Sequence, residues 1–412
     1  MKTKNTWDIE RTVRLPQLKE NIQKDVVIIG AGLAGLWSAY QLSKKGLSVA
    51  VIDCNKVGQG TTLYTTAFIT QDIDTDLSEL VDIYGKRTTK LAWQAGKEAI
   101  DLIEKVIVEE KIDCEFKRSP LYIYADDTEG FDALKVESDL AQNLGFDTEM
   151  HERAAFRFKN AGAMEIKNQA KFHPMKFYYG LLDVCLKQGV EIFEKTEATK
   201  ISGNARIVVG TKNGFSIKAT RVVVATYNPF NNPKATHFKK AMYTSYVYEL
   251  KVKKGSVPEG MYLDTHNPYH YIRVDSLDTH DRMIIGGEDH RAELKIPKKS
   301  FKALEEFIQK TFPGLQYEII TKWDGAILEP SDGMPLIGEY LPHQYVATAF
   351  SGNGMTYAAI SSVIIRDLIM NKQNKYINLY DPKRKLTAKA LYEKAKDYGQ
   401  EFVGGALKNI FK

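Results

Sequence analysis

The stretch that most limits what this chain can fold into is Asp25-Val26-Val27-Ile28-Ile29 running straight into Gly30-Ala31-Gly32-Leu33-Ala34-Gly35. The apolar run suits a strand buried on both faces. Leu36 to Lys45 reads as a helix, stopped by Gly46, and Leu47 to Ile52 forms a second strand that ends at Asp53. A GxGxxG turn is informative only between a strand and a helix, with an acid about 20 residues onward, and that context is present. Gly30 permits the tight turn, Gly32 lets backbone approach a pyrophosphate, and Gly35 allows the helix to pack closely on the strand. The helix N-terminus offers amide donors and a positive dipole end to phosphates. Asp53 is placed to accept from ribose hydroxyls and would repel a 2′-phosphate, which disfavours NADP.

At 412 residues the chain exceeds what one core usually serves, so two joined domains are expected. Its +5 net charge makes no strong field, which argues against nucleic acid as a partner. Cys54, Cys114 and Cys185 are widely spaced and form no CxxC pair. This fits a reducing compartment and argues against a disulfide framework, an iron–sulfur cluster or a structural zinc site. Residues Met1 to Lys24 lack the apolar stretch of a signal peptide, and no run approaches the ~20 apolar residues of a membrane span. The expectation is a cytoplasmic protein without a metal.

Further along, helical spacing appears over Lys90–Glu110, Glu129–Leu144, Pro174–Lys187 and Ser300–Thr311, and again from Met355 to Met370. Strands are expected within Cys114–Ala125, at Val190–Phe193 and Ala198–Ile201, and on both sides of the hairpin signal Asn213-Gly214. Tyr243 to Gly287, rich in Tyr, Val and Ile, reads as a sheet of another kind. The loop Gly58-Gln59-Gly60-Thr61-Thr62-Leu63-Tyr64-Thr65-Thr66-Ala67 stands where a plain NAD dehydrogenase would place a crossover helix. Its hydroxyls and amides suit a long ligand crossing the sheet edge, or simply a polar surface.

The βαβ unit, the Gly-Thr-Thr and Thr-Thr-Ala segments, and Gly352-Asn353-Gly354-Met355-Thr356 together resemble the D-amino-acid-oxidase-like FAD-dependent oxidoreductases, over about Leu15 to Asp381. Phe172-His173-Pro174, Ala225 to Phe230 and Gly286-Gly287-Glu288-Asp289-His290 resemble the branch that often carries a Rieske domain. With three cysteines, no such domain is expected here. The resemblance implies an α/β fold: a Rossmann-like FAD-binding domain (25–85, 160–235 and 320–380) interleaved with a mixed-sheet α+β substrate domain (86–159 and 236–319), then a helical tail over 381–412. It implies that Gly30, Gly32, Gly35 and Asp53 hold the ADP half of FAD and that Thr61 and Thr62 reach the pyrophosphate. Thr65, Thr66 and Ala67 would line the approach to the flavin ring. Ala198, Ala225 and Thr226 would flank the nucleotide, and Gly352, Asn353, Gly354, Met355 and Thr356 the flavin edge.

The implied reaction oxidises a small amine or amino-acid-like molecule by hydride transfer to noncovalent FAD, with dioxygen or a separate acceptor taking the electrons. Alternatives are a dehydrogenase of another metabolite and a flavin-binding subunit of an electron-transfer assembly; homo-oligomers are compatible with either. Ile327 stands where several amino-acid oxidases of this class place a carboxylate-binding arginine, and no cysteine in that stretch suits a thioether-linked flavin. Arg273 is therefore the candidate replacement anchor, by a bidentate contact, with Tyr271 and Tyr248 beside it as catalytic-pocket candidates. Tyr246 and His270 share that segment, and Trp323 is either a ring wall or core. His173 reads as a helix cap, and Asp289-His290-Arg291 as a turn network.

Overall fold

Parallel pairing forms where the sequence is most apolar: Ile22–Ile29 lies between Val49–Ile52 and Ser216–Val224 and runs parallel to both. The computed structural model describes residues 6–385 except 12, 153–155, 157, 231–239 and 293–295. The expected tail from 386 onward thus lies outside the described residues. The first sheet has eight strands, six of them in the order Ala198–Ser202, Ile207–Thr211, Ser216–Val224, Ile22–Ile29, Val49–Ile52, Glu191–Phe193. Gln344–Thr348 runs parallel to the end of Ser216–Val224 and carries Leu336–Leu341 antiparallel beside it. Helices Leu33–Ser43 and Gly354–Ile369 pack on one another, and Pro174–Lys187 packs on the first.

The second sheet, also of eight strands, runs Tyr317–Pro330, Lys240–Val252, Asp281–Arg291, His270–Ser276, Gly260–Asp264, Leu121–Ala125, Gly162–Ile166, Thr148–Glu152. Its pairs are antiparallel except Gly260–Asp264 with Leu121–Ala125. Successive side chains on a strand point to opposite faces. Tyr246, Tyr248 and Leu250 therefore enter a core closed by Leu304, Phe307 and Ile308 of the helix Pro297–Thr311, whereas Ser245 and Val247 face the first sheet's half of the molecule. Two expected boundaries move. Gly162–Ile166 belongs to the second sheet, and Tyr317–Pro330 pairs along the length of Lys240–Val252, so that sheet reaches Pro330 rather than ending at 319. Asp324-Gly325 reads locally as a turn signal, yet the strand runs straight through it, paired with Tyr246 and Ser245 of the 13-residue strand beside it.

The seam between the halves is ionic. Asp275 is met by Lys171 Nζ at 2.9 Å, Arg273 Nε at 3.0 Å and Arg282 Nη2 at 2.9 Å. Burial alone would raise the Asp275 carboxyl, but these three cations hold it far below the usual carboxylate range. The indole of Trp7 lies within reach of both arginines, at 5.1 and 4.7 Å from the guanidinium carbons. Arg384 ties the described end of the chain to Asp332 at 2.8 and 2.7 Å, next to the turn at Gly333. Among the described residues no helix is long and apolar enough to cross a membrane. Replacing Arg273 by methionine keeps much of its volume but strips a buried carboxylate of one partner. The expected cost is about 3–5 kcal/mol of unfolding free energy, read from urea denaturation. A loss under about 1 kcal/mol would show that Lys171 and Arg282 suffice.

Candidate functional site

A cleft opens where the first sheet's glycine turn faces the second sheet. Each glycine of that turn meets a different environment. Gly30 has φ +101°, and a Cβ on it would stand 2.5 Å from the Ala225 carbonyl oxygen. A Cβ on Gly35 would stand 1.9 Å from the Gly30 carbonyl oxygen, so helix and strand touch there. A Cβ on Gly32 would meet only the Thr62 hydroxyl, at 3.9 Å, and otherwise open cleft. The residue before the helix that starts here, Gly32, has no side chain to cap it, and Thr62 Oγ1 from the threonine loop accepts from the Leu33 amide at 3.3 Å. Asp53 accepts from the Ala31 amide at 2.9 Å and the Asn55 amide at 2.8 Å, and burial raises its carboxyl.

The threonine loop is held from outside by donors to successive carbonyls. Trp323 Nε1 donates to Tyr64 at 3.0 Å, Trp7 Nε1 to Thr65 at 2.7 Å, and Arg273 Nη1 to Thr66 at 2.9 Å and Ala67 at 3.3 Å. Ala67 adopts φ 58°, in the left-handed region. With the carbonyls engaged outside, Thr61, Thr62, Thr65 and Thr66 line the cleft. Opposite them a second helix, Gly354–Ile369, begins without a side-chain cap. Its preceding Asn353 instead accepts from Thr70 Oγ1 at 2.8 Å and donates to the Asp72 carbonyl at 2.7 Å. Tyr227, Ala349 and Ser351 also line the cleft in left-handed conformations that non-glycine residues seldom adopt.

Of the residues expected around the cofactor, Gly32, Thr61, Thr62, Thr65, Thr66, Ala225, Gly352, Asn353, Gly354 and Met355 line this cleft. Gly30, Gly35, Asp53 and Ala67 are not among the lining residues: the two glycines sit at the close backbone contacts of the turn, Asp53 is engaged by the Ala31 and Asn55 amides, and the Ala67 carbonyl by Arg273. Thr356 is buried and donates to the Thr70 carbonyl at 2.9 Å. Thr226 donates to the Asn228 carbonyl at 3.2 Å, and Ala198 pairs with Thr211 in the outer hairpin.

The expected substrate residues separate. Tyr271 lines the cleft, its hydroxyl 2.8 Å from Ser245 Oγ. Tyr248 is corrected: it points into the opposite core, on the same strand face as Tyr246. Arg273 is corrected as a carboxylate anchor, because its side chain is 2% exposed and bound to Asp275 and the threonine loop. Trp323 is core, holding the Tyr64 carbonyl. His173 caps Pro174–Lys187 by accepting from the Lys176 amide at 3.3 Å. His290 Nε2 lies 3.0 Å from the Tyr246 hydroxyl.

Sequence reasoning missed the acids. Asp72 and Asp74 line the cleft, and Asp74 accepts from the Gly352 amide. Water reaches them through the cleft while protein encloses their other sides, and burial pushes both carboxyls up, Asp72 well up with help from Asp74, Asp76 and Glu137. Asp289 is set by a bulge: Tyr246 pairs with Gly287 and Thr244 with His290, leaving Ser245 opposite both Glu288 and Asp289. Glu288 takes φ 56° there. Neither buried Asp289 oxygen has a well-formed hydrogen bond. Burial, with Asp74 and Glu288 nearby, pushes its carboxyl up to about 7 against the pull of Ser245 and His270. The alternation Asp72, Asp74, Asp76 directly after the hydroxyl-rich loop was the available signal for the first two.

Two uncapped helix N-termini converging on one cleft, with a hydroxylated loop between them and open space at Gly32, fit an extended dinucleotide, and this fold and site define a nucleotide-dependent oxidoreductase. The sequence pattern of the FAD dependent oxidoreductases matches residues 25–368, and the chain belongs to that family. It is 30% identical over 374 residues to YhfW of Bacillus subtilis (strain 168), a protein named for a Rieske 2Fe-2S centre, covering 90% of this chain and 73% of that protein. It is 22% identical to the gamma-glutamylputrescine oxidoreductase of Escherichia coli (strain K12), covering 87% of this chain and 86% of that one. The glycine oxidase of Geobacillus kaustophilus superposes with TM-score 0.73 at 19% identity, over 89% of this chain and 100% of its own. For the L-proline dehydrogenase of P. horikoshii the values are 0.74 and 21%, over 89% and 98%.

The glycines give a graded prediction. Gly32→Val is expected to leave the thermal midpoint of flavin-free protein within about 2 °C, because the side chain enters open cleft, yet to abolish flavin retention in the 450 nm to 280 nm absorbance ratio. Gly35→Ala is expected to lose both. A Gly32→Val protein that keeps its flavin would show that the ligand does not approach this backbone.

Proposed function

We propose that this FAD-dependent oxidoreductase oxidises a cationic amine at the carbon beside nitrogen, without requiring an α-carboxylate. One observation carries the reading: among the described residues, the only charged side chains lining the cleft are Asp72 and Asp74. A substrate carboxylate would meet no arginine, lysine or histidine there, and Ile327 occupies the wall. Burial raises both carboxyls, with repulsion from Asp74, Asp76 and Glu137 added at Asp72, and a bound ammonium group favours their charged form. The gamma-glutamylputrescine oxidoreductase among the relatives, named for an amine, agrees with this preference.

Bound FAD would take two electrons from the substrate and release them to dioxygen or a separate acceptor. The chain's own residues orient and desolvate. Asp72 and Asp74 attract the cation, and Phe68, Val247 and Leu263 exclude water from the apolar wall. Tyr271 and Ser245 present a hydroxyl pair that orients the nitrogen, with Asp289 beside them as a proton acceptor. Noncovalent attachment is supported by the cysteines: Cys114 and Cys185 are buried and Cys54 exposed, and none lines the cleft.

An anaerobic screen followed at 450 nm tests the substrate class. Aliphatic diamines and N-alkyl amines are expected to bleach the flavin, and glycine or D-alanine to do so far more slowly. The reverse order would overturn the proposal. Asp72→Asn is expected to raise the KM of a reducing amine about tenfold or more with flavin content unchanged. Acid precipitation is expected to release the yellow colour into the supernatant; colour retained in the pellet would refute noncovalent binding.

A further inference from the structure

Away from the cleft, the turn that joins Gly260–Asp264 to His270–Ser276 gathers three side chains of another chemistry. Asp264 Oδ2 lies 2.8 Å from His270 Nδ1 and 3.0 Å from His266 Nδ1. The far nitrogens of both rings also face carboxylates: His266 Nε2 is 3.0 Å from Asp126 and His270 Nε2 is 3.2 Å from Glu288. Asp264 Oδ1 is engaged separately, by the amides of His266 at 3.2 Å and His270 at 2.7 Å. The two imidazoles stand at 90° with centroids 5.9 Å apart, edge to face rather than stacked, and both Nδ1 atoms lie within 3.0 Å of Asp264 Oδ2. Phe307 lies flat on His270, 3.6 Å between centroids, and fixes that ring.

An imidazole that donates Nε2–H to a carboxylate presents a lone pair at Nδ1, the arrangement in which histidine ligates metals. Here two such nitrogens approach one carboxylate oxygen, His270 Nδ1 in hydrogen-bond geometry and His266 Nδ1 at ionic distance. That is repulsive unless positive charge lies among the three atoms, and either two protons or one divalent ion supplies it with the same overall charge. The two oxygen–nitrogen separations are a few tenths of an ångström below the edge of a tetrahedron with bonds of about 2 Å, roughly 3.3 Å, and all three ligand atoms lie within 4.8 Å of one another. Asp126 and Glu288 already occupy the supporting positions that orient metal-bound histidines.

We propose that Asp264 Oδ2 and the Nδ1 atoms of His266 and His270 form a binding site for a first-row divalent cation of the zinc type. Two imidazoles and one carboxylate favour Zn²⁺ over Mg²⁺ or Ca²⁺ and leave a fourth position for water. The His266 side chain, 35% exposed, gives a route in from solvent. Tyr269 lies between the two histidines in sequence and lines the cleft, so the cation steadies the segment that delivers it. The spacing of the cysteines had argued against a metal; these ligands are histidines and an aspartate, assembled by one turn.

The test uses metal-stripped, tag-free protein retaining its flavin, titrated with Zn²⁺ by calorimetry and with Co²⁺ by visible absorption. One Zn²⁺ per chain is expected, with at least tenfold weaker binding in His266→Ala, which alters a partly exposed side chain and leaves flavin content as the check on folding. Co²⁺ should give d–d bands that the same variant loses. His151→Ala serves as the control, since Glu149, His151 and Glu165 form the other cluster of such groups among the described residues. Equal binding by wild type and His266→Ala, loss of binding in His151→Ala instead, or no binding at all would each overturn the proposal.

Discussion

A guanidinium with almost no access to water sets conditions that much of this molecule meets. Leaving Arg273 unpaired in the interior would cost several kcal/mol, so its position requires partners before anything else. Asp275 neutralises it and is itself balanced by Lys171 and Arg282, while Nη1 reaches the carbonyls of Thr66 and Ala67. The ionic seam and the threonine loop are thus one structure. What holds the two sheets' halves together also determines where the cleft-lining hydroxyls point.

The glycine turn was legible because everything that defines it is local: an apolar strand, three glycines and an acid within 29 residues. The helices Pro174–Lys187 and Gly354–Ile369 were legible for the same reason, to within a residue or two at their ends. Arg273 was not. A strand buried on both faces gives no periodicity from which to tell which parity meets the cleft, and both His270–Ser276, which carries Arg273, and residues 245–250 are buried on both faces. Tyr248 was accordingly assigned to the wrong face, and Tyr271 to the right one for no stronger reason. The orientation of Asp289 depends on a bulge opposite Ser245, and nothing in Gly-Gly-Glu-Asp-His announces one.

The cleft carries two kinds of electrostatics in close quarters. Two helix N-termini supply fixed positive ends that suit the phosphates and the electron-rich edge of a flavin. Asp74 accepts from Gly352, just outside the second helix, and with Asp72 places two carboxyl groups in the cleft, where the proposed ammonium group would meet them. Selectivity for a cation can therefore coexist with binding of an anionic cofactor, because backbone dipoles serve one and side chains the other.

The indole of Trp7 has a consequence for how the chain is made. The threonine loop waits for a residue 58 positions before it in Trp7, one 207 positions after it in Arg273, and one 259 positions after it in Trp323. Contacts of such sequence separation form late, since loop-closure entropy must be overcome first. During synthesis the nucleotide half can assemble its first strands early, but the mouth of the cofactor cleft stays unfinished until Trp323 has left the ribosome. A finished cofactor site thereby requires synthesis through Trp323, and a product truncated before it would emerge without one.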